Sequence, residues 1–365
     1  MGLTARWISP VNIGWKAADF LANRHKWNYR FTPSDVASLE AATTNILKIV
    51  HSDQNDTHLL IDSVKKTDFP LTPSLANLLG EINRNVVFES GFHLVQGFPT
   101  LSKSSSVAEK KQIAAMYYGI ALHFGQPISQ NGKGHVLGHV KNLNPDLKDP
   151  NTRIYTTSEA QRFHSDSADI VGLLCLHKAK EGGLSSIASS HAVFNRMVEK
   201  RPDLAHVLTQ TFRWDRKGEI PPGQKPYYDQ PIYNFNRDGV CFAKYDRNFL
   251  ISAKRWPQGE LSAIQIEAID MMESLCKDDT FRLDMDLQPG EIQFVNNHTI
   301  LHARTRFVDD SQTPRHLLRL WLSSPEAPDL PPAYVWRYGQ NLLHGQVRGG
   351  INVAGVRLNA PLDAE

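Results

Sequence analysis

The sequence predicts an α+β fold, or a mainly-β sandwich clad by helices. Segments with helical periodicity fill the first third of the chain, and strand-like apolar runs crowd its second half. The two do not alternate in the βαβ rhythm of a doubly wound sheet. No GxGxxG and no Walker-type loop is present, so a nucleotide-binding α/β fold is not expected. At 365 residues the chain is long enough for one large domain or two. No linker-like stretch divides it, which favours one.

Taken in order, SDVASLEAATTNILKI (34–49) reads as a helix, with Ser34 as N-cap and Val36, Leu39, Ala42 and Ile46 on one face. VVFESGFHLVQGF (86–98) reads as two short strands around Gly91. EKKQIAAMYYGIALHFG (109–125) reads as a helix closed by Gly125 at C′. DIVGLLCLHKA (169–179) has the continuous apolar character of a buried strand, and SHAVFNRMVEK (190–200) that of a short helix. Residues 213–260 mix Pro, Gly, charge and Tyr, the composition of an exposed insertion or lid. QGELSAIQIEAIDMMESLCKD (258–278) reads as a helix. The strands GEIQFVNN (290–297), ILHART (300–305) and HLLRLWL (316–322) follow, then a tail rich in Pro and Gly.

Charge excludes more than it suggests. Forty Lys and Arg against 38 Asp and Glu give a net charge of +2, without the clustered excess of a nucleic-acid binder. The three cysteines are widely spaced and form no CxxC pair, as expected in a reducing compartment. No run approaches the length of a membrane span, and the first twenty residues lack the apolar core of a secretory signal. The basic start resembles a mitochondrial presequence, but Trp7, Trp15 and Trp27 look like packing residues. A cytoplasmic location is expected, and the partner expected is a small molecule.

Three motifs carry chemistry. In FHSD, His164 and Asp166 stand two apart, which on a strand puts both side chains on one face. Imidazole and carboxylate are ligands for Fe(II), Mn(II) or Zn(II); the competing reading is a solvated strand end. NNHTILHARTRF offers two candidates for a third ligand, His298 and His302. Their four-residue spacing also suits a helical zinc site, but the segment is strand-like and lacks the HExxH glutamate. His135 and His139 are spaced alike, and their flanking glycines favour a loop. In PRHLLRLWLS, strand alternation puts Arg315, Leu317, Arg319 and Trp321 on one face and His316, Leu318, Leu320 and Leu322 on the other. Two arginines on an inward face would call for an anionic partner; on an exposed face they would need none.

In combination these motifs are more specific. Two His and one carboxylate on one side of a metal leave positions open, as in non-haem Fe(II) oxygenases. The order HxD, a His 136 residues after the Asp and an Arg 13 residues later resembles the TauD/TfdA (taurine dioxygenase-like) family of Fe(II)/2-oxoglutarate oxygenases, and the wider clavaminate synthase-like group. GFHLVQGFP (91–99), FGQPISQ (124–130), FHSDSADIVGLLCL (163–176), EGGLSSI (181–187), NNHTILHARTRF (296–307) and RHLLRLWLS (315–323) carry the likeness.

The resemblance implies His164, Asp166 and His302 as iron ligands and as the catalytic centre. It implies Arg315 as the partner of the distal 2-oxoglutarate carboxylate. Ser185 falls where the family usually has a supporting Thr, and Arg319 matches a second arginine near the cosubstrate or the substrate's anionic group. The implied fold is a double-stranded β-helix, a jelly-roll core with helices on one sheet. It divides the chain into an N-terminal helical part (1–85), a core (86–324) with a lid insertion (213–260), and a C-terminal extension (325–365).

The implied cofactors are Fe(II), 2-oxoglutarate and O2. The implied reaction is oxidation of a C–H bond of a small, carboxylate- or amino-acid-like metabolite, by hydroxylation, desaturation or cyclisation, with release of succinate and CO2. Arg319, Asn131, Tyr155 and the Tyr-rich stretch 227–233 are candidates for the substrate pocket. Ala160 stands where relatives acting on taurine carry a polar side chain, so taurine is not the expected substrate. The alternative is a non-oxidative jelly-roll protein, a zinc hydrolase or a metal-binding module. A hydrolase would need a base near HxD, and a binding module would have no use for Arg315.

Overall fold

A computed structural model describes residues 14–364 apart from 102–104, 147, 150, 151, 222 and 352–354. Trp15 and Trp27 are buried, as expected of packing residues; Trp7 lies outside the described residues.

The main strands in chain order are β1 (Asn28–Arg30), β2 (Phe92–Gln96), β3 (Gln126–Ile128), β4 (Leu137–Lys141), β5 (Gln161–His164) and β6 (Ile170–His177). Then come β7 (Ser185–Ser189), β8 (Arg282–Met285), β9 (Ile292–Asn296), β10 (Ile300–Arg304) and β11 (His316–Ser323). Seven form one sheet in the order β1-β2-β9-β6-β11-β3, with β4 also paired to β11. Four form a second sheet, β8-β7-β10-β5. Only β1 and β2 run parallel in these two ladders. Among the described residues the ladders close no barrel.

Three apolar layers follow from strand alternation. Between the sheets lie Val171, Cys175, Leu317 and Trp321 from the large sheet, packed with Ile187, Leu283 and Ile300 from the small one. On the outer face of the large sheet, Ile170, Leu174, Leu318, Leu320 and Leu322 meet the helices Pro33–Ile49, Pro73–Phe88 and Val107–Ala121. The other face of the small sheet packs Ala188 and Leu301 against the helices Ser190–Lys200, Pro202–Leu208 and Ala263–Lys277. Helices therefore cover both outer faces, not one. β6 is buried on both sides, which is why its sequence is a continuous apolar run.

Several local expectations are corrected. The first long helix is capped by Thr32, whose hydroxyl accepts from the Asp35 N–H at 3.2 Å, while Asp35 returns a bond to the Thr32 N–H at 2.8 Å. Pro33 takes the first helical position, where its missing N–H costs nothing, so Ser34 is already inside. Val86–Phe88 are the last turn of a helix rather than a strand. Gly91 (φ 81°) makes the reversal into β2. The helix expected to 125 ends at Ala121, and Gly125 serves close approach, since a Cβ there would collide with the Ser323 carbonyl. His139 lies on β4, not in a loop.

Residues 213–260 are not an open excursion. Thr211–Asp215 pairs with Tyr227–Pro231, Tyr233–Phe235 pairs with Cys241–Ala243, and a helix covers Arg247–Ser252. Trp214, Tyr228, Tyr233 and Tyr245 bury their rings in the layer outside the small sheet. The Pro- and Gly-rich runs are the turns between these strands. The tail is also built in: Asn359–Pro361 pairs with His58–Leu60. No helix among the described residues is long and apolar enough to cross a membrane.

Candidate active site

β5 and β10 are antiparallel neighbours, and their register sets His164 directly opposite His302. The ring centroids lie 4.2 Å apart, with the ring planes tilted by 53°. Asp166 lies two residues beyond the end of β5, so strand alternation does not place it. Its N–H donates to Asn297 Oδ1 at 3.0 Å, and Lys244 Nζ donates to the Ser165 and Asp166 carbonyls at 3.0 and 3.3 Å. These bonds fold the turn back and aim the carboxylate at the imidazoles. Its Oδ1 is 4.0 Å from His164 Nε2 and its Oδ2 4.0 Å from His302 Nε2. One donor atom from each of the three residues lies within 4.8 Å of the others.

The donor chemistry suits a metal. His164 Nδ1 donates to the Arg162 carbonyl at 2.9 Å, which leaves Nε2 as a lone-pair donor facing inward. The Gln161 amide occupies that lone pair at 2.9 Å. Burial, then the neighbouring His164, pushes His302 down to about 3, so it is a neutral ligand at any ordinary pH. Burial alone would raise the Asp166 carboxyl. The Arg319 guanidinium, the two imidazoles and the Trp321 Nε1–H bond (2.9 Å) outweigh it and hold the group well below the usual carboxylate range.

His298 is elsewhere. Its Nε2 meets Asp169 Oδ1 at 2.8 Å, and Asp169 also takes Arg348 Nε at 3.0 and 3.1 Å. It belongs to a satisfied core network, and His302 alone of the two faces the cluster.

Two cavities meet at the triad, sharing Tyr155, Gln161, His164, Asp166 and Arg319 in their walls. The smaller, about 490 Å³ including space open to solvent, holds the anion-binding candidates. Arg315 is buried there, but it stands just before β11, whose register shifts between His316 and Leu317, so strand alternation does not place it; its N–H donates to Asp309 Oδ1 at 2.7 Å. Its Nη2 donates to the Gly183 carbonyl at 3.4 Å, and its Nη1 has no hydrogen-bond partner among the described residues. Gly183 (φ 75°) leaves room for it: a Cβ there would stand 2.9 Å from Arg315 Nε. Desolvation pushes the guanidinium down to about 10, the sign of a buried cation short of an anion.

Arg304 lies in the same cavity and was not among the expected site residues. It sits across from Ser185 in the ladder, two positions after His302, and therefore on the same face. Its Nη2 donates to the Thr157 carbonyl at 2.9 Å, while Nε and Nη1 have no partner among the described residues. Burial and then Arg315 push it down to about 9. Ser185 lines the cavity too, but its hydroxyl donates to Gln293 Oε1 at 2.9 Å.

Arg319 lies between the cavities. Tyr155 (4.6 Å) and Trp321 (5.0 Å) flank its guanidinium, Nε donates to Gln130 Oε1 at 2.7 Å, and Nη1 is 3.4 Å from Asp166 Oδ2. Asn131 is not brought to the site: it bonds His135 at 3.1 Å, and its neighbour Gln130 takes the wall position. Of the Tyr-rich stretch, Tyr228 lines the larger cleft, about 790 Å³ including space open to solvent. Tyr233 instead donates to the Ser190 carbonyl in the core.

The family model described as "Taurine catabolism dioxygenase TauD, TfdA family" matches residues 59–321. FR-33289 synthase of Streptomyces rubellomurinus is 29% identical over 246 residues, 66% of this chain and 71% of that one. Among solved structures, asparagine oxygenase in complex with Fe(II), 2S,3S-3-hydroxyasparagine and succinate superposes with a TM-score of 0.58 at 17% identity, over 81% of this chain and 93% of that one. The non-heme iron oxygenase OrfP, solved with Fe and alpha-ketoglutaric acid, gives 0.57 at 15% identity with the same coverage.

Proposed function

The chain belongs to the TauD, TfdA family, and from that membership we propose that it is an Fe(II)- and 2-oxoglutarate-dependent oxygenase acting on a C–H bond of a small anionic metabolite. The observation that carries this is the position of the His164–Asp166–His302 cluster at the mouth of a cavity holding two partly unpartnered guanidinium groups. A metal with three protein ligands supports redox chemistry at its open positions. A dicarboxylate cosubstrate would supply the anion that Arg315 lacks. The two sheets are taken as the halves of a jelly roll, and the described chain as one catalytic unit that includes its tail.

In this reading His164, Asp166 and His302 hold iron, and Arg315 and Arg304 hold the distal carboxylate of 2-oxoglutarate, with Ser185 beside it. When bound, iron and 2-oxoglutarate supply the oxidising power, with O2 consumed and 2-oxoglutarate leaving as succinate and CO2. A metal held by His164 would take the Nε2 lone pair that the Gln161 amide now occupies. The Arg162 carbonyl keeps the imidazole in the tautomer that presents that nitrogen. Arg319 and Trp321 share Asp166 Oδ2 and fix the carboxylate's orientation. Val140, Leu173, Leu287 and Leu317 form an apolar wall that keeps water from the cosubstrate. The strands and helix of 213–260 form one side of the substrate cleft, where Trp214, Tyr228 and Phe249 face Tyr155 and Trp321.

A non-oxidative hydrolase or binding module has no support, because the matching family is a dioxygenase family and nothing in such a role calls for the paired arginines. The test is release of succinate from 2-oxoglutarate by purified protein with Fe(II), ascorbate and O2. Slow substrate-free turnover that is lost in His302→Ala is expected. Tight zinc binding with no turnover under any condition would sink the assignment.

A further inference from the structure

We propose that the larger cleft receives a small molecule carrying its negative charge in one doubly ionised group, a phosphate ester or a phosphonate, held by Arg337 and Lys217 in the field of Lys244. This rests on the oxygenase reading, because it takes iron and 2-oxoglutarate to occupy the adjoining cavity, which leaves the larger cleft to the substrate.

The cleft walls carry five cationic side chains: Arg153, Lys217, Lys244, Arg319 and Arg337. Three carboxylates oppose them: Asp166, Glu219 and Asp246. Each of these is already engaged. Asp166 faces the metal cluster and Arg319. Glu219 is shared, paired with Arg153 and standing 3.8 Å from Arg337 Nη2. Asp246 caps the helix Arg247–Ser252 through the Asn248 N–H at 2.8 Å, and its charge also acts on Lys217 and Lys244. An excess of two positive charges remains in a concave, part-buried site, where uncompensated charge is costly.

The excess is also concentrated. Ser167 Oγ accepts from Lys244 Nζ at 3.3 Å and from Arg337 Nε at 3.2 Å, so two cations converge on a single hydroxyl. Lys244 is buried, and its ammonium donates to neutral oxygens, the Ser165 and Asp166 carbonyls and this hydroxyl. Lys217 is carried to the cleft by a tight turn in which it adopts φ 49°, a left-handed conformation uncommon outside glycine. The Asp215 carboxylate fixes that turn by accepting the Lys217 N–H at 2.9 Å. A strained backbone that delivers a cation to a cation-rich cleft suggests a ligand to be met there. A dianion would neutralise the excess; a monoanion or a neutral molecule would not.

Calorimetric titration of the protein loaded anaerobically with Fe(II) and 2-oxoglutarate tests this with four probes of similar size. These are n-propyl phosphate, n-propylphosphonate, butyrate and butyramide, at neutral pH, where a phosphate ester is already largely doubly ionised. At least one phosphorus dianion should bind about tenfold or more tighter than butyrate, with butyramide weaker still. The ester and the phosphonate arms tell which source of the dianion fits. Arg337→Gln and Lys217→Gln should each weaken the dianion about tenfold, whereas Lys254→Gln, on the exposed surface, should not. Equal binding of butyrate or butyramide, or dianion affinity untouched in both cleft variants, overturns the proposal. Because the ligand series uses the unmodified protein, the proposal stays testable even where a variant fails to fold. Succinate formation without any probe reports on the oxygenase reading alone. Its absence alongside selective dianion binding would remove that reading and still support the dianion site.

Discussion

Two histidines four residues apart in one motif have opposite roles, and their surroundings make the difference testable. His302 lies in a cavity wall with Nδ1 unpartnered among the described residues, so removing it opens space and strands no charge. His302→Ala is expected to abolish metal binding and succinate formation while shifting Tm by only a few degrees. His298 satisfies a buried carboxylate that also holds Arg348. His298→Ala should therefore cost roughly 3 kcal/mol of stability, the scale of breaking a buried charged network, and leave the metal cluster chemically complete. Denaturant titration together with metal stoichiometry separates the two; equal losses in both variants would refute the division of roles.

The smaller cavity supplies a second residue-scale prediction. Arg304→Gln and Arg315→Lys should each raise the KM for 2-oxoglutarate about tenfold or more, since each removes charge-assisted donors from one cavity. If Arg304→Gln leaves KM unchanged, its role is confined to tying the loop 154–159 to β10 through the Thr157 carbonyl. His302, Arg315 and Arg319 are legible from the motif and its spacing. Arg304 is harder to read, because HARTRF holds two arginines with equal claims. The strand ends at Arg304, so alternation turns that residue inward, while Arg306 beyond it is 72% exposed and pairs with Glu159.

At the scale of elements, β2 carries a buried liability. His93 faces the helix layer with both ring nitrogens unpartnered among the described residues, and desolvation pushes it down to about 4. Between about pH 4 and 6.5 the unfolded chain therefore binds a proton that the native protein refuses. Stability is then lost as pH falls through the unfolded value near 6.5 and continues to fall until about 4, by roughly 2–3 kcal/mol in all. His93→Leu should remove that part of the acid sensitivity and raise stability at pH 5, read from urea midpoints across the pH range. An unchanged pH slope would refute it.

Elements are legible where local pattern and burial agree. Ser190–Lys200 and Ile170–His177 fall where periodicity and a continuous apolar run put them. They are illegible where tertiary contacts override local preference. Val86 and Val87 have strand-forming side chains, yet they end a helix because both are buried beneath it. The turn-rich composition of 213–260 hides a folded layer, since what orders it is Trp214, Tyr228 and Tyr233 meeting residues distant in sequence. Asp166 is a case of the same kind: the strand stops before it, and Asn297, 131 residues away, positions it.

At the scale of the whole molecule, the Pro- and Gly-rich tail reads from sequence as an extension, but the interior depends on it. Arg348 reaches back to Asp169 with both side chains about 1% exposed, and its Nη2 donates to the Pro328 carbonyl at 2.8 Å. Tyr334 and Tyr338 pack with Phe242 and Leu330 in a cluster of their own. Asn359–Pro361 completes a sheet with His58–Leu60, so the tail also closes on the N-terminal part. Removing residues 325–365 would leave Asp169 as a buried charge with, among the described residues, only His298 and the Ser324 N–H bonded to its carboxylate, and would uncover the Phe242 ring. Breaking a buried pair alone costs about 3–5 kcal/mol, against a total stability of about 5–15 kcal/mol for a typical domain. The truncated chain is therefore expected to lose cooperative folding rather than to behave as a trimmed core. Arg348→Ala offers the milder version, and it carries a second consequence. The Asp169 carbonyl accepts the Asn297 N–H at 2.9 Å, and Asn297 Oδ1 in turn accepts the Asp166 N–H. Loosening Asp169 should thus loosen the metal-facing carboxylate through two hydrogen bonds. Arg348→Ala is expected to lower Tm by several degrees and to weaken Fe(II) binding measurably, although Arg348 touches none of the three ligands. Asp169→Asn added to it should recover part of the stability, because the stranded charge is gone. A truncated protein that melts within a few degrees of the full chain, or an Arg348→Ala variant with unaltered metal affinity, would show that the tail only covers the core and does not help to set the site.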